Sequence, residues 1–192
     1  MNHAAHELLE TSEALRTKAA EIEQHGMFAN QCKDQHLKSI LHKHQQQMIT
    51  AYQQGVSMMQ GKNVQLSHQY PNFRAQEHSS MQEQPSSGSA PSPNRQMLSD
   101  QTMATLALNA HKAGSMMSMQ WANECVDTQL RSYHVNGANL CQEMAYEMWN
   151  WMNQNGYYQP PTFSSQQVSQ MANSFQPMTN QMNHFQTGNH MQ

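Results

Sequence analysis

The chain has 192 residues, of which only 12% are charged, with a formal net charge of -3, 18 methionines and three cysteines. That balance leaves no electrostatic footprint for nucleic acid, and no apolar run approaches the roughly 20 residues that a membrane span needs. Cys32, Cys125 and Cys141 form no Cys-x-x-Cys pair and are too few for a disulfide scaffold, while the opening Met1-Asn-His-Ala-Ala-His6-Glu7 lacks the layout of a secretion signal, so synthesis in the cytosol is expected.

From the amino end, Leu8, Ser12, Leu15, Ala19 and Ile22 recur at spacings of four and three, which predicts an amphipathic helix over 3–24 closed by His25-Gly26. Asn30 or Asp34 then caps a second helix whose stripe is Leu37, Leu41, His44, Met48, Ala51, Gly55 and Met58, with Gly61 at its end. Residues 62–97 carry Gln84-Pro-Ser-Ser-Gly-Ser-Ala-Pro-Ser-Pro-Asn94, a composition that neither buries apolar surface nor sustains a hydrogen-bond ladder. They read as a flexible crossover.

Ser99 or Asp100 caps a third helix with Met103, Leu106, Ala107, Ala110, Gly114, Met117 and Trp121 on its inner face. Asp127 caps a fourth, whose Leu130, His134, Gly137, Cys141, Met144, Met148 and Met152 keep the 4-3 spacing of bundle packing until Gly156 and Pro160-Pro161 stop it. The tail, 159–192, is rich in Gln, Asn and Met and reads as a disordered, low-complexity, association-prone segment. Four helices in two hairpins, over 1–61 and 98–158, define one all-α bundle.

The two hairpin turns echo one another. Cys32-Lys-Asp34-Gln-His-Leu37-Lys38-Ser39 returns as Cys125-Val-Asp127-Thr-Gln-Leu130-Arg131-Ser132. A crossover of about 35 residues far exceeds the two to eight that join neighbouring helices in a bundle, yet suits a traverse of its full length, about 40 Å for 26 residues. A ferritin-like topology, with the two turns at opposite ends, is therefore expected, and Cys32 and Cys125 could then bridge only different molecules.

Leu98-Ser-Asp100 opening the third helix, Asp127-Thr-Gln-Leu130-Arg131 opening the fourth, and Glu143-Met-Ala-Tyr146-Glu147-Met-Trp-Asn-Trp-Met152-Asn-Gln-Asn-Gly156-Tyr157-Tyr158-Gln-Pro160 closing it carry a family likeness. This stretch, about 98–163, resembles the coat F domain of the spore coat protein F family of endospore-forming bacteria. The first hairpin follows the pattern more loosely, through Glu7-Leu8-Leu9 and Asp34-x-x-Leu37-Lys38. The resemblance implies a ferritin-like bundle that serves as a structural component of the spore coat, made in the mother-cell cytoplasm, deposited on the forespore and partnered by other coat proteins or by copies of itself.

Chemistry is sparse in the sequence. A ferritin-like fold raises the alternative of a metal-binding protein or metal-dependent oxidoreductase, but the carboxylate-bridged centres of such bundles use Glu-x-x-His, which occurs nowhere here. Glu124, Glu143 and Glu147 lack the partner histidine, and the latter two are expected on a solvated face. His44 and His134 fall on interior stripes, where a hydrogen-bonded core histidine is the expectation and a shared metal or proton-sensitive pair the rival. The tail histidines His184 and His190 offer at most incidental metal binding. No nucleophile motif occurs, and no catalytic residue, cofactor or metal is expected.

Candidate docking or cross-linking residues are Cys32 and Cys125, expected at exposed turns beside helix starts that favour thiolate, together with Trp149, Trp151, Tyr157 and Tyr158 at the bundle end. Trp149 and Trp151 cannot share one seam, so one of them is expected to face outward. The methionines of the second hairpin read as core packing, with copper(I) as the outsider. Tail glutamines such as Gln166, Gln167 and Gln170 are candidate amide donors for cross-links.

Overall fold

A computed structural model describes residues 3–69 and 90–177. The chain folds as α1 (Ala5–Gln31), α2 (Gln35–Met59), α3 (Asp100–Glu124), α4 (Thr128–Gln154) and a short α5 (Ser165–Ala172). Helices α1 to α4 lie within one compact unit, 1–159, and α5 within a second, 160–192. None of the residues of α5 is buried. It is an eight-residue helix with a Ser164–Gln167 capping box where the sequence reading placed disorder.

The echoed sequence has a physical reading. In each copy the cysteine closes one helix, the aspartate caps the next, and the leucine is driven into the core. Asp34 accepts from the Leu37 N–H at 2.7 Å, Asp127 accepts from those of Gln129 and Leu130 at 2.8 and 2.9 Å, and Leu37 and Leu130 are both buried. The N–H groups inside each turn bond a carboxylate from the other hairpin. Asp100, opening α3, accepts from Lys33 and Asp34 at 3.1 and 2.9 Å; Glu7, near the start of α1, accepts from Val126 and Asp127 at 2.6 and 2.7 Å.

These bonds fix the topology. The α1–α2 turn sits beside the start of α3, and the α3–α4 turn beside the start of α1, so the two turns occupy opposite ends of the bundle. Helix α1 packs chiefly on α2 and α3, and α4 on the same two, which leaves α1 and α4 on a diagonal. That is the ferritin-like arrangement expected from the crossover length. The described start of the crossover is fastened along α4: Gln129 Oε1 accepts from the Leu66 N–H at 2.6 Å, Asn136 Oδ1 accepts from that of Gln69 at 2.8 Å, and Asn136 Nδ2 donates to the Ser67 carbonyl at 2.9 Å.

Gly61 and Gly156 take φ of 70° and 72° and close α2 and α4, as their positions predict. Gly26 does not close α1, which runs five residues further, to Gln31. A Cβ at Gly26 would stand 2.6 Å from Gln45 Nε2, the group that donates to the Ile22 carbonyl at 2.9 Å. The glycine lies beneath the end of the Gln45 side chain of α2, inside the helix and not at its stop.

The stripes expected for α2 and α4 coincide with their buried faces. Leu37, Leu41, His44, Met48 and Met58 face inward on α2, as do Leu130, His134, Cys141, Met144, Met148 and Met152 on α4. The α1 stripe is displaced by one residue. Its buried positions are Glu7, Thr11, Ala14, His25, Phe28 and Ala29, whereas Leu8 lies 37% exposed. On α3 Met103, Ala107 and Trp121 of the expected stripe are buried, joined by Ala104, Leu108 and His111, while Leu106 is exposed. The largest apolar cluster, around Phe28, Leu37, Leu41, Met103, Met148 and Trp151, fills the end beside the first turn.

Candidate functional site

The displaced stripes bring histidines together at mid-bundle. His25 of α1, His44 of α2 and His111 of α3 each have no solvent exposure, and their ligating nitrogens lie within 4.8 Å of one another. His111 Nε2 stands 3.2 Å from His25 Nε2 and 3.2 Å from His44 Nδ1. The fourth helix contributes Glu147, whose Oε2 is 2.8 Å from His44 Nε2 and whose Oε1 accepts from Lys43 Nζ. Every helix of the bundle thus supplies one group to this layer.

The remaining ring nitrogens fix the tautomers. His25 Nδ1 lies 2.8 Å from the Glu21 carbonyl, which only accepts, so Nδ1 carries the proton and Nε2 a lone pair. Burial alone would raise the Glu147 carboxyl, but its bonds from His44 and Lys43 outweigh that and hold it below the usual range. An ionised Glu147 only accepts, so His44 Nε2 carries the proton and Nδ1 a lone pair. Burial pushes all three imidazoles down, His25 to about 4, while His44 gains partial support from Glu147 and His111 is further disfavoured by the two neighbouring rings. The three rings are neutral, the form in which imidazole binds a metal.

His44 and His134 do not form the shared pair weighed as the rival to ordinary core packing. His134 Nε2 lies 3.3 Å from Thr11 Oγ1, its ring packs 5.5 Å from Trp121, and burial takes it down to about 4. It is a hydrogen-bonded core histidine. Sequence reading missed His25, taken as part of a helix stop, and His111, one position from the Ala110 assigned to the stripe. Continuing the 4-3 register from Glu7 through Thr11 and Ala14 reaches His25, and from Ala104 through Ala107 reaches His111. Glu147 is only 15% exposed and faces His44, not a solvated face. One carboxylate among three imidazoles does not fit a carboxylate-bridged dinuclear centre. His184 and His190 lie outside the described residues.

At the bundle end, Trp151 faces inward, 2% exposed, with its Nε1–H directed to Asp34 Oδ1 at 3.3 Å. Trp149 is partly buried against the edge of the same cluster and stacks on Tyr146 at 5.7 Å and 16°. Tyr157 packs against the cluster, and exposed Tyr158 has Lys112 Nζ 5.3 Å from its ring centroid. The outward surface here comes from Tyr158 and the edges of Trp149 and Tyr157, beside a groove lined by Lys33, Arg95, Met97, Leu98 and Tyr157.

The cysteines differ from the expectation of exposed, activated thiols. Cys32 is buried and its Sγ–H is directed to the Asp34 carbonyl at 3.2 Å, while Cys125 is half-buried. Burial first, then Asp100 beside Cys32 and Glu7 beside Cys125, push both thiols up to about 11, outweighing any helix-terminus effect. Cys141 is likewise pushed up to about 11 by burial. In the native protein at pH 8 these thiols should react with a disulfide reagent on the order of a hundredfold more slowly than free cysteine, and at ordinary rates in urea. A fast native phase for Cys32 or Cys125 would refute this.

A bundle of this topology with a histidine layer across its centre defines a class: a ferritin-like four-helix protein whose central layer, among the described residues, is built on imidazole. Residues 99–161, which include the closing motif that carried the resemblance, match the Coat F domain family. The chain is 28% identical over 179 residues to the spore coat protein F-like protein YhcQ of Bacillus subtilis, spanning 92% of this chain and 82% of that protein. A crystal structure of a candidate spore coat protein from Bacillus halodurans superposes with a TM-score of 0.65 at 15% identity, covering 86% of this chain and 97% of the other. That last likeness bears on the fold alone. Among the described residues no helix is long and apolar enough to cross a membrane.

Proposed function

We propose that this chain is a non-enzymatic structural component of the endospore coat, made in the mother cell and incorporated through contacts with other coat proteins. The observation that carries the reading is the Coat F domain over 99–161, set within a similarity to a coat F-like protein that spans most of both chains. The bundle end supports it, since Met97, Leu98 and Tyr158 are exposed there beside Trp149 and Tyr157, an apolar and aromatic rim of the kind that anchors protein partners. Gln166, Gln167 and Gln170 are exposed on and around α5 and remain our candidates for cross-linking amides.

A fluorescent fusion followed through sporulation tests the reading. It should gather from the mother-cell cytoplasm into a shell around the forespore and stay with purified spores. Fluorescence that remains diffuse in the mother cell, or enters the forespore interior, would overturn it.

A further inference from the structure

We propose that His25, His44 and His111 form a mononuclear binding site for a divalent transition-metal ion of the imidazole-preferring kind that Zn2+ represents. The site goes beyond the coat reading and does not depend on it.

The argument is geometric. Two imidazole nitrogens on one tetrahedral ion, each at roughly 2.0–2.1 Å, stand about 3.3 Å apart. The spacings of 3.2 Å from His111 Nε2 to His25 Nε2 and to His44 Nδ1 are close to that value. Because His25 and His44 are each protonated on the far nitrogen, both turn lone pairs toward His111. A single proton on His111 Nε2 can engage them only in part, whereas a cation engages all three nitrogens at once. His111 Nδ1 is buried without a hydrogen-bond partner among the described residues, so without an ion the two facing lone pairs draw the proton to Nε2, and ligation by Nε2 moves it to Nδ1.

The surroundings resemble the outer shell of a metal site. A ligating histidine commonly donates its other N–H to a carbonyl or a carboxylate, which fixes the ring and raises its basicity. His25 donates to the Glu21 carbonyl and His44 to the Glu147 carboxylate. Glu147 is therefore a positioning residue, itself held by Lys43. Neutral nitrogen ligands without thiolate select the borderline ions, Zn2+, Co2+, Ni2+ and Cu2+, over Ca2+ or Mg2+. The site is also unlike the dinuclear centres of ferritin-like proteins, since carboxylate stands behind imidazole here instead of bridging two ions.

The test uses the full chain, stripped by chelator and titrated with Zn2+ against a chromophoric competitor, then with Co2+ for its visible spectrum. We expect about one ion per chain, a raised melting midpoint, and a Co2+ spectrum with nitrogen ligands and no thiolate charge-transfer band. His111→Gln should weaken binding more than a hundredfold, and Glu147→Gln, which leaves all three ligands, about ten- to a hundredfold. His134→Gln, which alters a buried histidine outside the layer, and a His184→Gln, His190→Gln double variant should bind as the parent does. No binding by the parent, binding abolished by the tail variant, or binding unchanged in His111→Gln would each overturn the site. Should His111→Gln fail to fold by circular dichroism, X-ray absorption of the Zn2+-loaded parent decides: three histidine nitrogens with a water oxygen as fourth ligand sustain the proposal, and any other number of histidine nitrogens ends it.

Discussion

Replacing Trp151 with alanine is expected to lower the stability of the bundle by about 3–5 kcal/mol, the range for emptying a buried aromatic site. Three losses coincide at this residue. The indole packs within the largest apolar cluster beside Phe28, Leu37 and Met148, its N–H reaches Asp34, and its ring lies 5.7 Å from Tyr157. Asp34 is also the cap of α2, so the cavity opens beneath the turn that joins the first hairpin. Tyr158→Ala, on an exposed ring four residues after α4, should shift stability by no more than about 0.5 kcal/mol. Urea unfolding of the two variants separates an interior anchor from a surface aromatic. Equal midpoints for parent and Trp151→Ala would show that the indole is not part of the core.

Glu7→Ala should cost about 3–4 kcal/mol, because it strips the acceptor from two N–H groups of the α3–α4 turn and from that of Ala4. Burial alone would raise the Glu7 carboxyl, but the bonds from Asp127, Ala4 and Val126, with His6 nearby, outweigh it and hold it below the usual range. A depressed folded-state value means that the unfolded chain takes up the proton more readily. Glu7 therefore contributes its full stabilisation above about pH 4.3, the ordinary value for glutamate, and loses it as the pH falls through the folded value. Glu10 behaves oppositely. Burial and the facing Glu124 carboxyl raise it to about 6, so its ionisation strains the folded state above that pH and the strain is relieved on acidification towards its unfolded value. Thermal melts from pH 3 to 8 should show the acid limb flattened in Glu7→Ala, and Glu10→Gln more stable than the parent at pH 7 to 8. A Glu7→Ala curve parallel to the parent across that range would contradict the assignment.

How much of this was legible in the sequence differs between helices for a chemical reason. Where the inner face is apolar, as along Leu130, Cys141, Met144, Met148 and Met152, period alone finds it. Where the inner face is polar, period misleads. On α1 the apolar residues Leu8, Leu15 and Ile22 mark a flank, and the buried line runs through Glu7, Thr11 and His25, whose polar groups are tolerated because each finds a partner. Those partners lie in the α3–α4 turn or at backbone carbonyls a turn back along the same helix, so the side-chain pattern on a single helical wheel does not reveal them. The same blindness hid the histidine layer. His44 stood out because α2 is otherwise apolar there, but His25 sits on α1, whose buried face is displaced from its apolar residues, and His111 on α3 one position past the Ala110 of the expected stripe. Gly26 compounded the error, since a glycine beside a histidine reads as a stop, and only the position of Gln45 shows that it lies beneath that side chain, inside the helix.

The span recognised as Coat F, 99–161, supplies two of the four groups at mid-bundle, His111 and Glu147, and one wall of the apolar interior. Isolated, that hairpin would turn Met103, Leu108, Met144 and Met148 toward water. A domain drawn on it is half of a mould, and its complement has to come from the same polypeptide or from a neighbour. In this chain the complement is supplied by residues 5–59, tethered in a one-to-one ratio, so the interior closes without waiting for a second molecule.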